Sequence, residues 1–295
     1  MPIGHRCGHD GHTTILLRLA ELVDSKVSEY CNINVLLLWQ PAEETGTGAR
    51  AVLESGVLQQ FNIKAFYALH NLPGYSIGTV VLCPRTFAAA STGVIYSLHG
   101  RETHASTPEL GVNPGLAVAE IIRKFDDFNN NIATDGEFRQ STLICVNVGT
   151  PAFGTSAGKG EVMFTLRAFA NDAMEHLLTD ANSTVDEIAV QYGLTVSRVM
   201  VEPFRATEND SDCVKTIEKA AEEVSLECCY QATPNRWSED FAEYLTVYKG
   251  AMFGIGSGTE HAELHRPDYD FPDALIEPAA RCFEAILKTE NGKYF

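Results

Sequence analysis

Apolar residues recur at helical spacing in "TTILLRLAELV", where Ile15, Leu16, Leu19, Ala20 and Val23 share one face, predicting an amphipathic helix that begins near Thr13 or Thr14. The pattern then changes to an unbroken apolar run, Ile33 to Trp39 in "INVLLLWQ". A run without alternation predicts a strand covered on both faces of a parallel sheet. "GTGARAVLESG" reads as a short helix stopped by Gly56, and "AFYALH" as a second buried strand ending at His70. Strands alternating with helices predict an α/β layered sheet.

From about Ser91 the rhythm differs. "TGVIYSLHG" reads as a strand, "NPGLAVAEIIRKFDDF" as a helix with Pro114 in its first turn, and "STLICVNVG" and "GEVMFTLRAF" as two strands. "DAMEHLLTDANSTVDEIAVQYG" follows as a long helix stopped by Gly193, and "LTVSRVMV" as a last strand. This β-α-β-β-α-β order is the split βαβ, or ferredoxin-like, unit, which closes on itself as a small α+β domain. It is placed at residues 92–203, inserted between residues 1–91 and 204–295, where the α/β pattern resumes. In that last part "SDCVKTIEKAAEEV" and "SEDFAEYL" read as helices, "AMFGIG" as a strand and "PDALIEPAARCFEAILK" as a closing helix.

With 295 residues, 45% of them apolar, the chain is long enough for two cores. Its net charge of −17 opposes binding to nucleic-acid phosphates or anionic lipid, so neither nucleic acid nor membrane is an expected partner. The eight cysteines show no secreted disulfide framework, and the adjacent Cys228 and Cys229 are poor partners for each other, which points to a reducing cytoplasm. No signal peptide and no membrane span can be read in the chain.

Candidate chemistry begins with "GHRCGHDGH" at residues 4–12. Cys7 and His9 are two apart, so in an extended segment both side chains face one side and reach a common ion. Glu43 and Glu44 in "WQPAEE" fall just past the run Ile33 to Trp39, and His70 falls at the end of its own strand. Ligands of open α/β sheets bind beyond the carboxyl ends of strands, so these positions converge. "GTEHAELHRPDYDF" adds His261 and His265 in a loop rich in Gly, Pro and Asp. Taken singly, each has an ordinary reading: a solvated carboxylate pair at a helix start, or a surface histidine. Taken together, Cys7, His9, Glu44, His70 and His265 form a mixed S/N/O set suited to zinc, manganese or nickel, with Glu44 able to bridge two ions.

"CGHDGHT", "QPAEETGTGARAVLESGVL", "ALHNLPGYSIGTV" and "LHRPDYDFPDAL" resemble, in order, the motifs of the metal-dependent amidohydrolases of the M20 peptidase family, in the branch of aminoacylases, hippurate hydrolases and auxin-conjugate hydrolases. The resemblance implies a zinc-peptidase-like catalytic domain carrying an inserted lid that supports a homodimer. It implies that Cys7, His9, Glu44, His70 and His265 hold two divalent metal ions and that Glu43 is the general base. Asp10 and His12 are then groups that orient the ligands. "GRETHASTPELGVNPGLAVAEI" resembles the lid segment whose histidine, here His104, reaches a neighbouring subunit's site to stabilise an oxyanion. Arg167 in "FTLRAF" matches an arginine that binds the substrate carboxylate; without the resemblance it reads as a surface strand residue. The implied reaction is hydrolysis of the amide of an N-acyl amino acid, with a dipeptidase or carboxypeptidase, or a metal-binding protein without catalysis, as alternatives. Two departures stand out. Gly154 falls near the place of an asparagine beside the substrate, which alters substrate preference. Relatives also carry strands and a helix before the first motif, so the chain is read as N-terminally truncated or as lacking strands of its sheet.

Overall fold

The computed structural model describes residues 6–30, 32–129 and 138–293; Cys31 lies outside them. In chain order, helix α1 (His9–Asp24) is followed by an extended stretch at residues 33–40, a short 3-10 turn at Glu43–Thr45 and α2 (Gly48–Glu54). Strands β1 (Phe66–Pro73), β2 (Val80–Leu82) and β3 (Ala90–His99) come next, then the two-residue β4 (Thr103–His104) and α3 (Gly115–Asp126). Strands β5 (Arg139–Val148), β6 (Thr155–Ser156) and β7 (Lys159–Ala168), helix α4 (Asn171–Gln191) and β8 (Thr195–Phe204) complete the middle of the chain. The last part holds α5 (Ser211–Glu223), β9 (Cys228–Tyr230), α6 (Ala242–Leu245), β10 (Gly250–Gly258) and α7 (Ile276–Gly292).

One sheet has the order β1-β10-β2-β9 and is mixed: β10 runs parallel to β1 and antiparallel to β2, which is parallel to β9. Strand β10 is buried along nearly its whole length because both sheet faces are covered. Its period-two geometry sends Ala251, Phe253 and Ile255 into a core with Ile15 and Leu19 of α1, Ile217 of α5 and Ile286 of α7. Met252 points the other way, into a second core with Ala49, Phe87 and Tyr244. Helix α5 starts where the Asp210 carboxylate accepts the amides of Asp212 and Cys213, both at 3.0 Å, satisfying two N–H groups that the first turn leaves free.

The other large sheet, β5-β7-β3-β8, is antiparallel throughout, and this is the strand order of the split βαβ unit. Helices α3 and α4 cover one face, packing Ile121, Phe125, Leu177 and Val185 against Tyr96, Leu98, Val162 and Phe164. The Tyr96 hydroxyl donates to Asn182 Oδ1 at 3.1 Å, so its polar end is satisfied inside the core. On strand β7 buried and half-buried positions alternate strictly, the mark of a sheet with one covered face.

Three expectations are corrected. The run Ile33 to Trp39 is extended but forms no strand among the described residues, and Leu36 and Trp39 are each 45% exposed. Leu37 and Leu38 pack into the two cores on opposite sides, so the side chains alternate as in a strand while no backbone ladder forms. Helix α1 begins at His9, because the hydroxyls of Thr13 and Thr14 donate back to the carbonyls of His9 and Asp10 and lie inside the helix. "SEDFAEYL" contributes only the four-residue α6, and Glu239 and Asp240 precede it with their side chains engaged elsewhere. Strands β2 and β9, three residues each, were too short to carry a readable pattern. Among the described residues no helix is long and apolar enough to cross a membrane.

Phe125 has no exposed surface, and its ring stacks on Phe164 at 4.3 Å between centroids. Phe125→Ala should lower stability by about 3–5 kcal/mol, read as a fall in the urea midpoint.

Candidate metal centre and cleft

Cys7 and His9 are brought together by a turn and not by an extended segment. Between them Gly8 adopts φ +91°, and a Cβ there would stand 2.7 Å from Asn71 Oδ1 and 2.9 Å from the Phe271 ring, so only glycine fits. The turn leads directly into α1, placing His9 at its first residue. Ala42, also left-handed at φ 58°, turns the chain after the extended stretch so that Glu43 and Glu44 face the same space. His70 arrives from near the end of β1 opposite Gly254 of β10 and is only 2% exposed. His265 has φ 65° on a loop, its amide held by the Arg6 carbonyl at 2.7 Å.

These residues form three overlapping clusters whose donor atoms lie within 4.8 Å of one another: Cys7 with His9 and His70, Cys7 with Glu44 and His265, and His9 with Glu43 and Glu44. Cys7 Sγ is 3.4 Å from His70 Nε2, His265 Nε2 is 3.8 Å from Glu44, and His9 Nε2 is 3.6 Å from Glu43 and 3.9 Å from Glu44. All five expected ligands and Glu43 therefore share one place. Cys7, His9 and Glu44 each belong to two clusters, so the three clusters are joined pairwise through shared residues. Glu43 lies as close to His9 as Glu44 does, so the geometry alone does not keep it apart from the donors.

The electrostatics fit a cation. Burial holds His70 down at about 4, and burial together with His70 and His9 holds His12 well below the ordinary imidazole value, so both rings are neutral at pH 7. The Asn71 carbonyl lies 2.8 Å from His70 Nδ1, an arrangement that puts the proton there and leaves the Nε2 lone pair facing Cys7. Burial raises the Cys7 thiol far above its ordinary value, with Glu44, Glu239 and Glu43 adding to the effect. Glu43 is pushed up to about 7 by burial and by the nearby Asp240 and Glu44. The Cys7 thiol keeps its proton, and Glu43 binds one more readily than an ordinary carboxylate, until a cation displaces them. A sulfur, three imidazoles and carboxylate oxygens suit zinc, manganese or nickel.

The other expected residues are placed less uniformly. His12 donates from Nε2 to Asn71 Oδ1 at 2.5 Å, and Asn71 donates in turn to the Tyr269 hydroxyl, a chain that fixes the floor beneath His70. Asp10 is exposed in the first turn of α1, and the structure gives its side chain no hydrogen bond to a ligand. His261 meets the Asp270 carbonyl at 2.7 Å and the Tyr269 ring, and it joins none of the three clusters. Arg167 is half-buried on β7 in the wall of a cavity of about 720 Å³ that lies between the two sheets and contains Cys7, Glu43, Glu44, His70 and His265. Its Nη1 donates to the Arg236 carbonyl at 2.7 Å and the Ser238 hydroxyl at 3.3 Å, which corrects its reading as a surface residue. His104 is exposed on β4, bonded to Ser106, and is not part of that cavity wall.

Sequence reading missed Glu239, Asp240 and Trp237, which also line or support the site. Asp240 accepts both from Gln40 Nε2, at 2.7 and 2.8 Å, and from the Ala49 amide at 2.9 Å, gripping the two ends of the segment that carries Glu43 and Glu44. The Trp237 ring lies 5.0 Å from that of His70. The available signal was a second adjacent carboxylate pair, "SED", but it was absorbed into a helix start.

Comparison with known proteins agrees with this geometry. N-acetylcysteine deacetylase of Bacillus subtilis is 26% identical over 98% of this chain and 75% of its own length. N-acetyldiaminopimelate deacetylase of Bacillus pumilus is 26% identical over 98% of this chain and 76% of its own. The Arabidopsis thaliana IAA-amino acid hydrolase ILR1-like 5 is 27% identical over 96% and 66%. Among solved structures, the Bacillus subtilis YXEP protein, described as a dinuclear metal-binding peptidase from the M20 family, superposes with a TM-score of 0.81 at 22% identity, covering 98% of this chain and 73% of that one. An aminobenzoyl-glutamate utilization protein from Klebsiella pneumoniae gives 0.69 at 20% identity, covering 95% and 67%. The family model for peptidase family M20/M25/M40 matches residues 4–289, and the chain therefore belongs to that family as a metal-dependent amidohydrolase.

Proposed function

We propose that the protein hydrolyses the amide bond of N-acyl amino acids at a two-metal centre. The observation that carries this reading is the convergence of Cys7, His9, Glu44, His70 and His265, with Glu43 beside them, at a cavity lined by Cys7, Glu43, Glu44, His70 and His265 together with Arg167. Two divalent ions held by those five residues, whether manganese, zinc or nickel, would lower the pKa of water and polarise the amide carbonyl. Glu43 takes the proton from the attacking water and delivers it to the leaving nitrogen, a role suited to a half-buried carboxylate next to the donors. Arg167 receives the substrate carboxylate through its guanidinium fork, and the apolar Met163, Ile144 and Phe204 of the same wall take apolar parts of the substrate. The deacetylase relatives, named for N-acyl amino acids, support this substrate class.

Residues 1–91 and 204–295 act as the metal-binding catalytic domain and 92–203 as a lid. His104, exposed and outside the cavity of its own chain, suits work in a second copy's site, stabilising the oxyanion of a homodimer joined through the lid. Exposed Val199 and Met200 on the edge strand β8 are compatible with that joint. The free thiols among the described cysteines suit a reducing compartment such as the cytoplasm.

Metal-stripped protein reloaded with manganese, zinc or nickel should cleave N-acetyl amino acids faster than dipeptides. Preference for dipeptides would replace the deacylase by a dipeptidase, and metal uptake without any hydrolysis would remove the enzyme. Glu43→Gln should lose roughly 10²- to 10⁴-fold in kcat, with metal content by elemental analysis unchanged. Arg167→Ala should lose roughly ten- to hundred-fold in kcat/KM on an N-acetyl amino acid, the worth of a charge-assisted hydrogen bond, but little on the corresponding carboxamide. An equal loss on both would show that the arginine does not hold the carboxylate.

A further inference from the structure

Three segments deliver the sulfur and nitrogen donors of the site: the turn at Gly8 with the start of α1 supplies Cys7 and His9, β1 supplies His70, and the loop that continues to Tyr269 supplies His265. One buried side chain touches all three. Asn71 follows His70 on β1 and has no exposed surface. Strand alternation sends it to the face opposite His70, the face on which Leu69 packs with Ile15 and Leu19 of α1. There its Oδ1 accepts from His12 Nε2 at 2.5 Å, and its Nδ2 donates to the Tyr269 hydroxyl. The same Oδ1 lies against the Gly8 turn, 2.7 Å from where a Cβ of that residue would stand.

A carboxamide offers an acceptor at one end and a donor at the other, and here both ends are used, so its plane is held in place. What it holds are the supports of the donors. The His12 ring stands 4.9 Å from the ring of His70, edge to face, and 5.5 Å from that of His9, so fixing His12 fixes a wall against which both imidazoles rest. The Asn71 main-chain carbonyl lies 2.8 Å from His70 Nδ1 and sets the rotation of that ring. Tyr269 ties in the loop of His265, four residues away, whose amide is bonded to the Arg6 carbonyl just before Cys7.

We propose that Asn71 is the positioning residue for the sulfur and nitrogen donors: its carboxamide sets the Gly8 turn, His12 and the His265 loop in register with the strand that carries His70. This rests on the two-metal reading above. Asn71 acts through the donors and is not itself one of them. Removing it loosens their mutual geometry, so cation affinity and coordination geometry change together.

The test adds cobalt(II) alone to the metal-stripped full chain, because sulfur-to-cobalt charge transfer reports the ion bound to Cys7 and the visible d–d bands report its coordination geometry. C7S is the control that abolishes the charge-transfer band. N71A should need about ten- to hundredfold more cobalt, the usual loss when a group behind a ligand is removed, and its d–d bands should shift. Y269F deletes a single oxygen and keeps the ring; it should move both readouts the same way by less, and it decides the matter where N71A folds poorly. H12A should lose about as much as N71A, H12Q, which still offers an N–H, should recover most of that loss, and H12A/N71A should be no worse than the poorer single variant. Folded N71A and Y269F with the parent's cobalt dependence and spectrum would overturn the proposal, even if they melt lower, since that is how a core amide that only stabilises the fold behaves. Losses that multiply in H12A/N71A would overturn it too, because two groups acting through one contact cannot lose independently. If the parent develops no band, the two-metal reading falls and takes this inference with it; a normal parent band with unaltered variants removes Asn71 alone.

Discussion

Asp240 joins the two acidic segments of the cleft. Its carboxylate binds Gln40 on one side of the Glu43–Glu44 turn and the Ala49 amide on the other, so the turn is fastened at both ends to the segment before α6. Gln40 also accepts from the Tyr244 hydroxyl at 2.6 Å, and Tyr244 stacks on Phe66 at the start of β1, the strand that carries His70. One chain of contacts thus sets the distance between the carboxylates and the buried imidazole. A buried carboxylate that accepts from two donors, one of them reaching both of its oxygens, is well satisfied, and removing either donor would leave part of its charge uncompensated.

That fastening matters because the rest of the site repels itself. Thiol, carboxylates and lone pairs crowd into one wall of the cavity, in a chain already carrying a net charge of −17. The fold holds them there through elements anchored at a distance: α1 packed on α7, β1 between its hydrogen bonds to β10 and the cores on either face, and the His12–Asn71–Tyr269 relay beneath. The organisation resembles that of other preformed sites, in which stability built up elsewhere compensates for local destabilisation.

The parts legible in the sequence were those with long, regular patterns. The strict alternation of Val162, Phe164 and Leu166 on β7 and the helical stripe of Ala117, Val118, Ile121 and Phe125 on α3 each specify a covered face, so the β-α-β-β-α-β order emerged correctly. His70 on a buried strand and the carboxylate pair after an apolar run were also readable, although β1 runs past His70 to Pro73 and does not end there. The run Ile33 to Trp39 misled because apolarity reports burial while a ladder needs a neighbouring backbone, which hydrophobic pattern does not encode. Glu239 and Asp240 were hidden because acidic residues before "FAEYL" look like an ordinary helix beginning. The convergence of Cys7 and His9 was guessed from spacing, but it is made by the left-handed Gly8, a conformation that sequence permits without requiring.

The imidazoles of the site differ sharply in how they meet solvent. His70 is sealed beneath Trp237, whereas the side chain of His265 is 64% exposed on its loop. The two seats of a paired centre would then differ in residence time: the outer one, which includes His265, exchanges with the medium, while the inner one, closed by His70, is filled early and released slowly. Occupancy of such a protein would track the supply of free cation through its outer seat alone.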